Sequence, residues 1–317
     1  MLVLYWQTDI PSVINTFNQI SLVVLMVLVA LQALTQLLIS YQWKRLAQMT
    51  DRRVTLMQML QMNMVGSFVE SITPSVKIGG EAVKIWWLKN SFNWSGIKAA
   101  SLLMVQKSIS GLMFLTVSFL FSAAFIGNQW KKISLQWSGE LPGIFWFGRY
   151  LFILIFVVII FKRIYQMEKM VNFRRTVSER FLEMMENVRS QWDEMNHRKK
   201  EKRSQFMLSG IIWLLYPVKM IILSKSIGLE ITFVTAGAVV FLAYIAALIP
   251  ILPGGIGTFE GTMVLLLTFT EVPPSQALAL AIVFRTITFW LVCLISGAFT
   301  AYFQLTRATK SVVEVLN

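Results

Sequence analysis

The stretch from Phe17 to Tyr41 is 25 residues long and carries no charge, which leaves the chain few options. A helix needs ~20 such residues to cross the hydrocarbon core of a bilayer. Lipid offers the backbone no hydrogen-bond partners, so a run that crosses there must be helical. Ile231 to Pro250 reads the same way, and so does Ile144 to Phe161 apart from Arg149. Seven apolar stretches stand out, at roughly 17–41, 54–73, 99–126, 144–161, 206–227, 231–250 and 275–303. Two shorter pieces, about 79–92 and 256–270, follow Pro/Gly breaks. The expected fold class is an all-α integral membrane protein.

Composition agrees and excludes other classes. Charged residues make up 14% of the 317, where a soluble domain carries about a quarter. The net charge of +13 flanks the apolar runs, which fits a membrane surface better than nucleic acid. Cys293 and His197 are single residues of their kinds, so there is no disulfide framework, no Cys/His zinc site and no Cys–His nucleophile pair. Asp occurs only at positions 9, 51 and 193, outside the apolar runs. No metal, no cofactor and no catalytic residues are expected.

Two Gly/Pro clusters, PSVKIGG from Pro74 and PILPGGIG from Pro250, lie directly against apolar helix. Proline and paired glycine stop helices. Pro74 is followed seven residues on by Glu81, and Pro253 seven on by Glu260. Glu81 is followed after 26 residues by Lys107, and Glu260 after 25 by Arg285. The shared order is apolar helix, break, glutamate opening a short helix, then a long helix with one cation. That order predicts an internal repeat, with units 17–126 and 206–303.

Charge placement predicts its sense. Lys and Arg number four in 42–53, two in 127–142, twelve in 162–205 and two after 303. If every stretch spans, the twelve-charge segment falls outside, against the positive-inside rule. If 54–92 and 231–270 are re-entrant hairpins, all the richly basic segments are cytoplasmic. Five spanning helices then carry two hairpins entering from opposite faces, with 144–161 linking an inverted repeat. The polar segment 162–205 has apolar residues at Met170, Phe173, Val177, Phe181, Met184, Val188, Trp192 and Met195. Their spacing predicts an amphipathic helix lying along the cytoplasmic interface, with a coiled-coil or dimer contact as the alternative.

Irregular backbone at membrane depth is tolerated where it is buried or lines a cavity. A half-helix opening at Gly79 and Gly80 would aim free N–H groups into such a cavity, with Gly255 and Gly257 doing so from the other face. Lys77 and Lys84 flank the first turn, and a lipid phosphate suits the site. The plainer reading is a tight turn between packed helices. Glu81 and Glu260 are either helix caps or members of ion pairs with Lys107 and Arg285, the pairing left open. Glu70, Lys219 and Gln106 are further polar residues in apolar surroundings, lining the cavity or cross-linking helices.

The stretches ITPSVKIGGEAVKIWWL with KAASLLMVQKSISG, and PILPGGIGTFEGTMVLLL with ALAIVFRTITFWLVCLISG, resemble the two signature regions of the lysylphosphatidylglycerol synthase transmembrane-region family, also described as flippase-like or UPF0104 membrane proteins. The resemblance runs from about residue 17 to 303. It places Gly79, Gly80, Glu81, Gly254, Gly255, Gly257 and Glu260 at motif positions, with Lys107 and Arg285 at the basic positions that follow. It implies a multi-pass protein of the plasma or inner membrane. It also implies movement of an anionic phospholipid, or of a polyprenyl-phosphate-linked lipid, between leaflets. The aminoacyl transfer of fused members belongs to a soluble domain beyond this region, so no enzyme activity is expected here. A scaffold that holds lipid or a lipid-modifying enzyme is the alternative function. An intramembrane enzyme with Glu81 or Glu260 as base is the weakest. A homo-oligomer and a lipid-modifying enzyme stay open as partners.

Overall fold

The computed structural model describes residues 10–73, 78–136, 175–248 and 253–302. The expected linking helix at 144–161, Lys77 and the basic tail lie outside these. The described residues are helical or in short turns, so the all-α expectation holds.

Helix α1 (Ile10–Gln19) is followed by α2 (Leu22–Thr50). The first long helix therefore starts five residues later than its charge-free run, because Ser21 Oγ accepts the Val24 N–H and caps it. It also continues nine residues past Tyr41, so the basic residues Lys44 and Arg45 stand on its last turns. Then come α3 (Leu56–Ile72), α4 (Ile78–Phe92) and α5 (Gly96–Gln136), followed by α6 (Arg175–His197) and α7 (Lys199–Ser226). The chain ends with α8 (Phe233–Ala246), a 3-10 turn at Pro253–Gly255, α9 (Thr258–Thr268) and α10 (Pro274–Arg285). The last of these runs on through a π turn at Thr286–Trp290 to form one helix from Pro274 to Tyr302.

Among the described residues, four helices are long and apolar enough to cross a membrane: Leu22–Thr50, Gly96–Gln129, Lys199–Ser226 and Pro274–Tyr302. At 1.5 Å per residue, even a 28-residue helix reaches about 42 Å, beyond the ~30 Å hydrocarbon core. Leu22, Val23 and Met26 on α2, Phe119 and Leu120 on α5, and Leu294 on the last helix are exposed. Such outward apolar faces need lipid around them.

Helices α3, α4, α8 and α9 are too short to do the same, with 17, 15, 14 and 11 residues. They pair instead. Gly79 lies beside Thr73, Gly80 against Glu70 and Gly66 against Lys84, the descending order of an antiparallel hairpin. Gly255 lies on Ala247, and the Phe259 and Tyr244 rings are 5.0 Å apart, the same progression in the second pair.

Two apolar cores result. One joins Met220, Ala236, Val240, Phe259, Met263, Leu280 and Phe284 across α7 to α10. The other joins Trp43, Met59, Met62, Trp87, Leu88, Leu102 and Val105 across α2 to α5. α2 serves both, through Leu28 in the first and Trp43 in the second.

The described part of the polar segment, residues 175–205, is not one continuous helix. It breaks at Arg198, and Lys199 to Gln205 belong to α7. The end of its apolar stripe docks on the protein: Met195 is fully buried among Leu46, Leu102 and Val105, with Val188 and Trp192 packed alongside. Phe181 and Leu182 stay exposed. Intramolecular burial wins here because Leu102 and Val105 of α5, with Leu46 of α2, offer the stripe a matching apolar face.

Candidate functional site

The first hairpin is built by close backbone approach. Thr55 and Gln58 form a reciprocal capping box that starts α3. A Cβ on Gly80 would stand 2.6 Å from the Gly66 carbonyl oxygen, and one on Gly66 would stand 2.6 Å from Lys84 Cε. Both glycines are therefore occupied with packing the arms together. The Lys84 stem crosses Gly66, is 4% exposed, and brings its ammonium within 3.5 Å of Glu81 Oε1. Lys107, from α5, reaches the same oxygen at 2.5 Å. Glu81 thus holds two cations on one oxygen while its buried Oε2 has no hydrogen-bond partner.

The second hairpin turns through three left-handed glycines, Gly254 (φ 66°), Gly255 (φ 68°) and Gly257 (φ 83°). Other residues rarely adopt these angles. Glu260 Oε2 accepts the Gly257 N–H at 2.6 Å and caps α9. That N–H is therefore engaged within the chain. Its other oxygen lies 3.6 Å from Arg285 Nε. Arg285 Nη2 donates to the Gly254 carbonyl oxygen, tying the turn to α10. The guanidinium stands 4.6 Å from the Phe259 ring centroid and 4.3 Å from that of Phe289. Phe289 comes from the π turn directly after Arg285.

The question of pairing is thereby answered: Glu81 meets Lys107, and Glu260 meets Arg285, each within its own half. Both glutamates sit in the first turn of a hairpin's second arm. The capping reading holds for Glu260 together with the ion-pair reading. The two hairpins also meet, since α3 packs against the Pro253–Gly255 turn. The Tyr216 ring of α7 stands edge-on to the Tyr244 ring of α8, with centroids 5.3 Å apart.

Gln106 cross-links helices, donating to Gln42 Oε1 at 3.2 Å, and Gln42 reaches the Gln205 carbonyl oxygen at 3.4 Å. Lys219 also ties α7 to α2, through Gln32 and Thr35. Sequence reasoning missed Gly66, Phe259, Phe289, Tyr216 and Tyr244, which look like ordinary apolar-helix residues. Gln32 and Thr35 carried a readable signal: two polar residues three apart inside a charge-free run.

The lysylphosphatidylglycerol synthase TM region family matches residues 1–296. Similar proteins include a UPF0104 membrane protein of Methanothermobacter thermautotrophicus, 23% identical over 305 residues, covering 87% of this chain and 84% of the relative. A UPF0104 membrane protein of Pyrococcus horikoshii is 23% identical over 310 residues, covering 94% and 92%. One of Methanocaldococcus jannaschii is 21% identical over 271 residues, covering 82% and 79%.

Proposed function

This chain belongs to the lysylphosphatidylglycerol synthase TM region family, and from that premise we propose that it binds an anionic or phosphate-linked lipid and moves it between leaflets. The carrying observation is that each half places a carboxylate–cation pair at the turn of a short hairpin. Three cations, Lys84, Lys107 and Arg285, stand there against Glu81 and Glu260. An anionic headgroup can take the place of the glutamates at these cations, with charge-assisted contacts forming as the Glu pairs open. Lys84 and Lys107 are the residues assigned to the phosphate in the first half, with Lys77 beside them in sequence. In the second half, Arg285 does this work.

The membrane arrangement belongs to the same proposal. Units 17–126 and 206–303 form an inverted repeat, in which α3–α4 and α8–α9 are re-entrant hairpins that gate one headgroup site alternately. Arms of about 16–25 Å, from 11 to 17 residues, are consistent with half-crossings. The plasma membrane is the assigned location, with 162–205 and the C-terminus cytoplasmic.

The test is reconstitution into liposomes carrying a labelled anionic phospholipid in one leaflet. The wild type should equilibrate the label across leaflets, and Lys107→Ala and Arg285→Ala should slow it per folded molecule. Lipid retained on the protein without crossing would instead indicate a lipid-holding scaffold.

A further inference from the structure

Lys219 is 1% exposed, and no carboxylate among the described residues forms an ion pair with it. Its Nζ donates to Gln32 Oε1 at 2.5 Å and to Thr35 Oγ1 at 3.0 Å, both on α2. The Thr35 hydroxyl spends its own proton on the Leu31 carbonyl oxygen at 2.7 Å, so toward Lys219 it can only accept. The third side of the ammonium faces the Tyr216 ring, 4.3 Å from its centroid. An ammonium without a counter-charge in such a place is held against a heavy desolvation cost, which release of the proton removes.

A second observation is independent of the first. Gln32 is 2% exposed, and its Nε2 has no hydrogen-bond partner. A half-turn of that amide exchanges its oxygen and nitrogen. The carbonyl then serves an ammonium, and the NH2 serves the lone pair of a neutral amine. The cage is thus suited to both protonation states of Lys219. Pro217, two residues away, removes a rung from the α7 ladder and lets the helix bend beside it.

We propose that Lys219 is a proton-binding site whose charge sets how tightly α2 and α7 hold each other, and that the proton is the coupling ion for lipid movement. The second half of that statement rests on the function proposed above. The amine takes one H⁺ from water to become the ammonium and returns it on release, with no other bond changed. Protonation strengthens both bonds to α2 and adds the attraction to Tyr216. Tyr216 carries the change outward, since its ring packs edge-on against Tyr244 of the second hairpin, centroids 5.3 Å apart. Among the described residues, the ammonium touches neutral Gln32 and Thr35 of α2 and the Tyr216 ring, with Tyr244 of α8 against that ring. On the other helices packed nearby, Lys107 of α5 pairs with Glu81, Arg285 of α10 is bound to Glu260 and Gly254, and Glu70 of α3 lies against Gly80.

The test uses full-length protein in liposomes with Cys293→Ser and spin labels on Leu34→Cys and Leu214→Cys, positions exposed on α2 and α7. Pulsed electron resonance then reads the α2–α7 distance between about pH 5 and about pH 9, where buried lysines can titrate. The wild-type distance should shorten as pH falls. Lys219→Met should abolish the response, and Gln32→Glu, which supplies a carboxylate, should hold the short distance throughout. If Lys219→Met fails to fold, Gln32→Glu and the wild type decide the matter. A wild-type distance independent of pH overturns the proposal, as does a full response in either variant. Label translocation is followed in the same vesicles under a pH gradient. Translocation without a pH response sinks the proton site alone, and a pH response without translocation sinks the lipid reading alone.

Discussion

Phe68 of α3 fills the space beside Gly297 on the last helix, where a Cβ would stand 2.9 Å from Phe68 Cε2. The same two residue types meet with their places exchanged, Gly237 on α8 lying under Phe121 of α5. In each contact the first arm of one half's hairpin rests on the last long helix of the other half. Paired contacts of this kind arise from two-fold arrangements, where one patch touches its counterpart and the reverse. They support the inverted relation proposed for the two halves.

Gly237→Ala should destabilise the protein by about 1–3 kcal/mol, the range for overpacking. Phe121→Ala removes the clashing ring, so the double variant should cost less than the sum of the two single variants. Gly111→Ala is the control, since no atom lies within 4 Å of its Cβ position and it stands inside α5. Its stability should rise by about 0.5–1 kcal/mol. Thermal unfolding in one detergent measures all four.

The two ion pairs should not weigh equally. Arg285 has a side chain 5% exposed, clamped by two rings and a carbonyl, whereas that of Lys107 is 41% exposed. Arg285→Ala should therefore cost about 3–5 kcal/mol, the range for breaking a buried pair. Lys107→Ala should cost less than that, because its side chain is less enclosed and Lys84 still serves Glu81. Equal losses in a denaturation series would contradict this ranking.

Gly255→Ala combines a left-handed φ with a Cβ that would stand 2.6 Å from that of Ala247. The backbone penalty alone is about 1–2 kcal/mol, and the clash adds to it. Gly80→Leu tests arm packing first, because its Cβ would meet the Gly66 carbonyl. Folded yield should fall in both variants, measured by size-exclusion chromatography after a brief heat step.

Removing the anchor of α6 should free it. Met195→Ala deletes a fully buried side chain, a change worth about 2–5 kcal/mol. The Glu194–Arg198 pair at 2.8 Å and the Arg45–Glu201 pair hold the same corner but are partly exposed. Trypsin should cut near Arg198 markedly faster in the variant, with the long helices left intact.

Ser190→Cys and Ser311→Cys, each in a Cys293→Ser background, should be labelled by an impermeant thiol reagent from the same face of the membrane. Labelling from opposite faces would remove the five-span arrangement and with it the inverted sense of the repeat.

Much of this was legible in the residues themselves. Charge-free runs decide membrane helices because the backbone in lipid has only itself to bond to, a local requirement that one segment reveals. Pro and Gly clusters mark the hairpin turns for an equally local reason, as Gly254, Gly255 and Gly257 show. The spacing of Glu81 to Lys107 and of Glu260 to Arg285 marked both acids and both bases.

Only the tertiary structure decided which acid meets which base, since that depends on how α5 and α10 lie against the hairpins. It also decided that Gly66 and Gly80 serve close packing, that α6 docks on α5, and that Lys219 is caged by neutral groups from a helix 184 residues away. These outcomes are contacts between segments far apart in the chain. Long-range contact rests on matching shape and on which polar groups remain to be satisfied, and no single segment carries that information.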